Sequence, residues 1–378
     1  MSKVKNVLIV GGGIGGLSSG IAMTKIGCHV EVAEIHAAFN VYGVGIIQPS
    51  NALRALDALG LADEAMRRGS PYGMVKMCSP AGHMFAEIGV PPIGRLPSHN
   101  GISRKILHDI LYEEAVKQGV VFRMGVTVTE IENKTNEVQV QFTDGSNGSY
   151  DILIGADGVN SKVRTIVLGN YMAKYTGQSV WRYAFKRPAE LETGYMFMGR
   201  NTKVGLIPMT ADTMYMFVVS AEGADNPMIP ENELVPRMKA LLQDYSAPMV
   251  KRVIEEITDP KKVIYRPLEV LFVPAPWYKS RVLLIGDAVH ATIPQLGQGA
   301  GLALEDSIVL AELLQSDDAI DIVFQKFMDR RLERCKMVVD VSVQVGELEQ
   351  LDWKGQMPEG TNIGAIMGRA LGALMQPI

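Results

Sequence analysis

Val7-Leu-Ile-Val10-Gly11-Gly12-Gly13-Ile14-Gly15-Gly16 carries an apolar strand straight into a glycine-rich turn, and a helical pattern follows through Lys25. The spacing is G-x-G-x-x-G in its strand-turn-helix context. Gly11 permits the tight turn, Gly13 lets a pyrophosphate approach the backbone, and Gly16 lets the helix pack close to the strand. A second strand, His29-Val-Glu-Val-Ala33, ends in Glu34, 18 residues after Gly16. A carboxylate there suits a pair of ribose hydroxyls and repels a phosphate on the same ribose. The opening therefore predicts a nucleotide-binding α/β unit.

Two later stretches repeat the strand-then-turn logic. Arg281-Val-Leu-Leu-Ile-Gly286 runs into Asp287-Ala-Val-His290 and then into Pro294-Gln-Leu-Gly297-Gln-Gly299-Ala300-Gly301, with a helix expected from about Leu302. The strand delivers the Asp287 carboxylate to its carboxyl edge. The glycines leave bare N–H groups at a helix start, whose roughly half positive charge favours an anion or an electron-rich heteroaromatic carbonyl, as in a reduced flavin. Midway, Tyr150-Asp-Ile-Leu-Ile154 leads into Gly155-Ala-Asp157-Gly158-Val-Asn-Ser161. Asp157 and Gly158 read as a compact turn, and Ser161 as the cap of a short helix. Taken alone, that third stretch is an ordinary βα turn.

In this order the three motifs resemble the single-component FAD-dependent aromatic hydroxylases, the family of para-hydroxybenzoate hydroxylase and salicylate hydroxylase, over most of the chain. The resemblance implies that Gly11, Gly13, Ile14, Gly15, Gly16 and Glu34 hold the adenosine and pyrophosphate of FAD. It implies that Asp157 belongs to the family's aspartate-glycine motif. Gly286 and Asp287 are similar to its flavin-ribityl motif, while Pro294, Gly297, Gly299, Ala300 and Gly301 would border the isoalloxazine ring. Arg104 matches an arginine at the FAD phosphate and ribose, and Gly43-Val-Gly45 a glycine loop beside the ring. One departure is that Glu34 is followed by Ile35-His36, where many relatives carry basic residues; His36 is read as a surface histidine. The implied activity is a monooxygenase: NADH or NADPH binds transiently and reduces FAD, and O2 forms a flavin hydroperoxide that hydroxylates a small aromatic or heteroaromatic substrate.

Composition agrees with an enzyme. The chain has 378 residues, 47% of them hydrophobic, enough for two fused domains. A net charge of -4 without a basic stripe argues against nucleic acid. Cys28, Cys78 and Cys335 are scattered, with no zinc spacing or disulfide framework, so no metal is expected and a cytoplasmic, reducing setting is. No apolar run approaches the roughly 20 residues of a membrane span. Oligomeric state is left as monomer or homodimer.

The expected fold class is α/β: a Rossmann-like FAD-binding domain (1-72, 100-172 and 268-316), an antiparallel-sheet substrate domain (73-99 and 173-267) and a C-terminal helical segment (317-378). A hairpin series is expected from Val126 to Ile154. Val180 to Phe185, Gly194 to Met198, Val204 to Ile207 and Met214 to Val219 read as strands of a sheet roofing the flavin, with 73-90 adding more. Glu231 to Asp244 reads as a helix with Pro236 in its first turn, and Asp318 to about Leu351 as a packing helix. Arg182, Tyr183, Lys203 and Tyr215 are the candidates for stabilising or generating a substrate phenolate. Alternation puts Arg182 and Tyr183 on opposite strand faces, so only one can meet the flavin. His290 is read as organising hydrogen bonds at a helix entry. Two rival readings stay open: a same-scaffold oxygenase for a nonaromatic, polycyclic or antibiotic substrate, and a non-catalytic FAD-binding module. A halogenase is disfavoured because Trp181, Trp277 and Trp353 stand apart.

Overall fold

The structure is a computed structural model that describes residues 4-41, 44-223 and 228-378. Gly43, in the expected ring-side loop, lies outside the described residues. Six strands form one sheet in the order Tyr278–Lys279, Val282–Leu284, Ile152–Gly155, Asn6–Val10, His29–Glu34, Val121–Met124, parallel except at the first. Strands separated by more than a hundred residues are thus direct neighbours. Val10 pairs with Gly155 and Gly155 with Leu284, so all three motif strands end level. Their apolar residues are buried on both faces, as a helix-covered parallel sheet requires.

Helices Ile14–Lys25 and Gly299–Leu313 pack against each other beside this sheet, the latter starting three residues before Leu302 because its glycines are already helical. A three-stranded antiparallel sheet, Val128–Asn133, Val138–Phe142 and Asn147–Tyr150, is the hairpin series.

The second large sheet runs Ile264–Val270, Lys174–Lys186, Thr213–Ala221, Thr202–Pro208, Tyr195–Met198, Val75–Cys78, Met84–Ile88. It is antiparallel except where Tyr195–Met198 lies parallel to Val75–Cys78. One face packs Trp181, Tyr183, Phe185, Met214 and Met216 against helices Glu231–Leu241 and Pro248–Glu256. Pro236 is the sixth residue of the first of these helices, beyond the first turn expected for it. The opposite face carries Tyr215, Ile207 and Met209. A small sheet of Gly45–Pro49, His99–Ser103 and Ser70–Tyr72 bridges the two large ones, and it approaches the roof so closely that a Cβ at Gly101 would run into Pro208 O. Helix Ile320–Trp353 packs on helix Gly299–Leu313, and helix Ile363–Leu374 packs on it. Among the described residues no helix is long and apolar enough to cross a membrane.

Candidate active site

The first glycine turn is shaped by crossing backbones. Gly11 has φ +107, and a Cβ there would strike Ala156 O of the second motif, so only glycine fits. A Cβ at Gly16 would meet Gly11 O, which is the close helix-strand contact expected from the spacing. A Cβ at Gly13 would meet nothing within 4 Å among the described residues. Gly158 and Gly297 are equally open. Gly12 N donates to Glu34 Oε2 at 2.8 Å, while Glu34 Oε1 accepts from His36 N at 3.0 Å. The Glu34 carboxylate is thereby held at the turn, and His36 itself is exposed. Buried His108 contacts Gly12 O through Nε2 at 2.9 Å and fixes the turn from helix Arg104–Lys117.

In the second motif Asp157 serves the chain itself. Its carboxylate accepts from Ser161 Oγ at 2.5 Å, Lys162 N at 2.7 Å and Val163 N at 3.0 Å, and Ser161 Oγ accepts from Arg164 N. Helix Lys162–Val167 is therefore capped twice at its positive end. Arg164, 3% exposed, donates to Ala288 O at 2.8 Å and so ties this motif to the third.

The third motif turns at Gly286, φ +58, into a short helix Asp287–His290. Asp287 is exposed at its surface yet surrounded closely by protein. Burial pushes its carboxyl above the ordinary range, with His290 and Arg104 pulling the other way. Gly286 N and His290 Nε2 both meet Asp306 Oδ2, at 2.9 and 2.7 Å. His290 is thus occupied by a carboxylate, the hydrogen-bonding role expected of it. Beyond it, Pro294–Leu296 forms a 3-10 turn, Gly297 is left-handed, and helix Gly299–Leu313 begins, with Ala300 and Gly301 in its first turn.

On the roof, Arg182 and Tyr215 face this cleft. The Arg182 guanidinium has no hydrogen-bond partner among the described residues; burial pulls it down to about 10, which leaves it a cation at neutral pH. Tyr215 is pushed up to about 12 by burial, partly offset by Arg182 and Arg104. A Cβ at Gly45 would collide with the Tyr215 ring, so this glycine, which opens strand Gly45–Pro49 rather than lying in the expected loop, lets the tyrosine lie over it. Arg104 acts electrostatically on Asp287, Arg182 and Tyr215 together, which brings cofactor motif and roof into one space. Tyr72 Oη and Gln48 Nε2 are buried without a hydrogen-bond partner among the described residues. Tyr183 lies on the other face: its hydroxyl donates to Glu256 O at 2.7 Å, within the helical pack. Lys203 is on the cleft face but is buried in an ion pair with Glu349 of helix Ile320–Trp353. Gln295 of the 3-10 turn donates to Gln178 at 3.2 Å and to Glu349 at 3.4 Å, joining that pair to the ring-side loop.

The feature that sequence reasoning did not find is a buried charge network beneath the third motif. Arg331, fully buried, donates through Nε to Asp306 Oδ1 and through Nη1 to Glu305 Oε2, both at 2.7 Å. Arg334 grips Glu305 with two contacts at 2.7 and 2.8 Å, and Asn51 donates to Glu305 and to Gln298. By sequence alone Asp329 to Arg334 is a run of charges on a packing helix. The available signal was Glu305-Asp306 inside an otherwise apolar helix, because paired buried carboxylates require cations. His290, Asp306 and Cys335 also offer ligand atoms within 4.8 Å of one another, but Arg331 already neutralises Asp306 and contacts Cys335 Sγ at 3.5 Å.

Comparison with known proteins agrees with this geometry. The sequence model of the FAD binding domain matches residues 5–341. The chain is 33% identical over 346 residues to the putative FAD-dependent monooxygenase YetM of Bacillus subtilis, covering 90% of this chain and 93% of that one. It is 30% identical over 333 residues to 2-heptyl-3-hydroxy-4(1H)-quinolone synthase of Pseudomonas aeruginosa, covering 86% of each. The crystal structure of a single-residue variant of Klebsiella pneumoniae HpxO complexed with FAD superposes with a TM-score of 0.81 at 25% identity, over 98% of this chain and 94% of that one. With three strand-end turns converging on one cleft and a family match across nearly its whole length, the chain belongs to the FAD binding domain family and is an FAD-dependent monooxygenase.

Proposed function

We propose that this monooxygenase hydroxylates a small aromatic or heteroaromatic ring bearing a hydroxyl, with NADH or NADPH as transient electron donor and O2 as oxygen source. The observation that carries the reading is Arg182, whose guanidinium is a cation without a hydrogen-bond partner among the described residues, on the same roof face as Tyr215. A forked guanidinium suits a phenolate or carboxylate. Tyr215 keeps its proton at neutral pH and is therefore a hydrogen-bond donor to substrate oxygen. The similarity to a quinolone synthase supports a heteroaromatic substrate.

The residues fit FAD. The open space before Gly13 leaves room for a pyrophosphate, which the turn from Gly11 through Ile14 and Gly15 to Gly16 would carry. Glu34 would take the adenosine ribose, Arg104 the phosphate and ribose region, and Asp287 a ribityl hydroxyl or the adjoining phosphate. Gly45, Pro294, Gly297, Gly299, Ala300 and Gly301 would border the ring, and Asp157 would shape the turn beside it by capping its helix. Bound FAD supplies acceptance of a hydride from the nicotinamide and activation of O2. The chain's own part is to bind, orient and keep water out, the last through Tyr72, Ile207, Met209 and Phe217. Segments 1-72, 100-172 and 268-316 act together as the cofactor unit in this reading. Three buried thiols, none in a disulfide, support a cytoplasmic enzyme, working as monomer or homodimer.

The test is NADH and NADPH consumption by the FAD-loaded enzyme with hydroxybenzoates, hydroxypyridines, quinolones and purines, counting product against peroxide. One hydroxylated ring class should accelerate consumption with little peroxide. Acceleration by a nonaromatic compound alone, with oxygen appearing in it, would refute the aromatic assignment.

A further inference from the structure

We propose that Asp306, clamped by Arg331, is a positioning residue for the cofactor: it sets the Gly286-Asp287 turn and so aims Asp287. The inference rests on the reading of Asp287 given above. Gly286, left-handed at φ +58, gives its N–H to a side chain rather than to a backbone carbonyl. The same oxygen, Asp306 Oδ2, meets His290 Nε2 at the far end of the four-residue helix. Both ends of the element that presents Asp287 therefore bond to one side-chain oxygen, supplied from 20 residues beyond Gly286 and 16 beyond His290.

The other oxygen is taken by Arg331 Nε, so the carboxylate cannot rotate without breaking an ion pair at 2.7 Å. Arg331 in turn is fixed by Glu305, by Leu302 O at 3.2 Å and by Cys335. Four ionisable groups thus face Asp306 or its clamp: His290, Arg331, Glu305 and Cys335, with Arg334 behind Glu305. Glu305 continues the chain of contacts through Asn51 to Gln298, next to the ring-side glycines. A wholly buried ion network is costly to desolvate, and an apolar core of equal volume would stabilise the fold at least as well. What apolar side chains could not do is direct the N–H of Gly286. A support of this kind changes ligand affinity by roughly tenfold to a hundredfold when removed.

The experiment is a double-mutant cycle on FAD affinity, read in FAD-loaded protein by the rise of flavin fluorescence on dilution, with the flavin midpoint potential as second readout. Asp287→Ala, Asp306→Asn and the double variant are compared. Asp306→Asn should weaken FAD binding by about tenfold or more and move the potential, and should add almost nothing once Asp287 is already alanine. Additive losses, or an unchanged affinity and potential in Asp306→Asn, overturn the proposal and leave Asp306 a packing residue. If Asp306→Asn does not fold, Arg331→Lys replaces it in the same cycle. Lysine keeps the buried charge but spans only one carboxylate, and a loss of affinity that vanishes in the Asp287→Ala background is again required. Unchanged FAD affinity in Asp287→Ala would instead sink the assignment of Asp287, a distinct failure.

Discussion

The carboxyl edge of the parallel sheet and the underside of the roof face the same cleft but are built differently. At the sheet edge the shape is made by backbone: Gly11 against Ala156 O, Gly16 against Gly11 O, open space before Gly13. On the roof it is made by side chains, with Arg182 and Tyr215 turned to the cleft while Tyr183, one residue from Arg182, is locked into a helical pack. A backbone site tolerates no change in a few glycines and is blind to ring chemistry. A side-chain site can be altered residue by residue, which suits it to choosing a substrate.

That contrast is open to test, most forcefully within the glycine turn itself. Gly13→Val should fold with little change in melting temperature without cofactor, since a Cβ there meets nothing within 4 Å among the described residues, yet lose FAD affinity by about a hundredfold or more, of the order expected when pyrophosphate approach is blocked. Gly11→Ala should fail earlier, in the fold, because its Cβ meets Ala156 O at a positive φ. Equal melting temperatures for the two variants would break the distinction.

The roof gives the next effect. Arg182→Met should retain FAD and lower kcat/KM for the best substrate by about tenfold to a hundredfold, as expected for a charged hydrogen bond of about 1.5–3 kcal/mol. Tyr183→Phe should leave kcat/KM alone and cost only about 1 kcal/mol of stability, from its lost bond to Glu256 O. A catalytic defect in Tyr183→Phe would return it to the site.

Proton linkage sharpens the picture beneath the turn. Despite burial, Cys335 and Asp306 hold His290 well above its ordinary 6.5, while Asp306, also buried, is held below 3.8 by His290 and Arg331. The His290 contribution is complete below pH 6.5 and fades as pH rises through its higher folded value. The Asp306 contribution is complete above 3.8 and fades as pH falls through its lower one. Melting temperature should therefore have a plateau between these limits, and His290→Gln should flatten its alkaline side. The smallest effect concerns Cys28, whose thiol burial pushes up to about 11. Native protein at about pH 8 should resist thiol reagents there and react after denaturation.

The sheet edge is legible in the sequence because its demands are local. A positive φ or a close backbone approach requires glycine at fixed spacing, and Gly11, Gly16 and Gly286 each announce this within a few residues. Roof strands are equally readable from alternation, and the same alternation separates Arg182 from Tyr183. What is not legible depends on partners far along the chain. Lys203 looks like a free cation until Glu349 meets it, and Arg331 looks like a surface charge until Glu305 and Asp306 face it. Spacing within one helix carries no record of which distant side chain will arrive. The misplaced Pro236 has a simpler origin, since a proline beyond the first turn of a helix violates the local rule that would set the helix start by it.

The neighbouring strands Asn6–Val10, Ile152–Gly155 and Val282–Leu284 also govern when the protein can first work. During synthesis the opening strand leaves the ribosome long before its second flank exists, and the apolar side of Ile152–Gly155 waits for Val282 to emerge. At ~5–20 residues per second that wait lasts on the order of ten seconds. The nascent chain must shelter an unfinished sheet edge for that interval, and the three motif turns stand side by side only once the last strand has emerged.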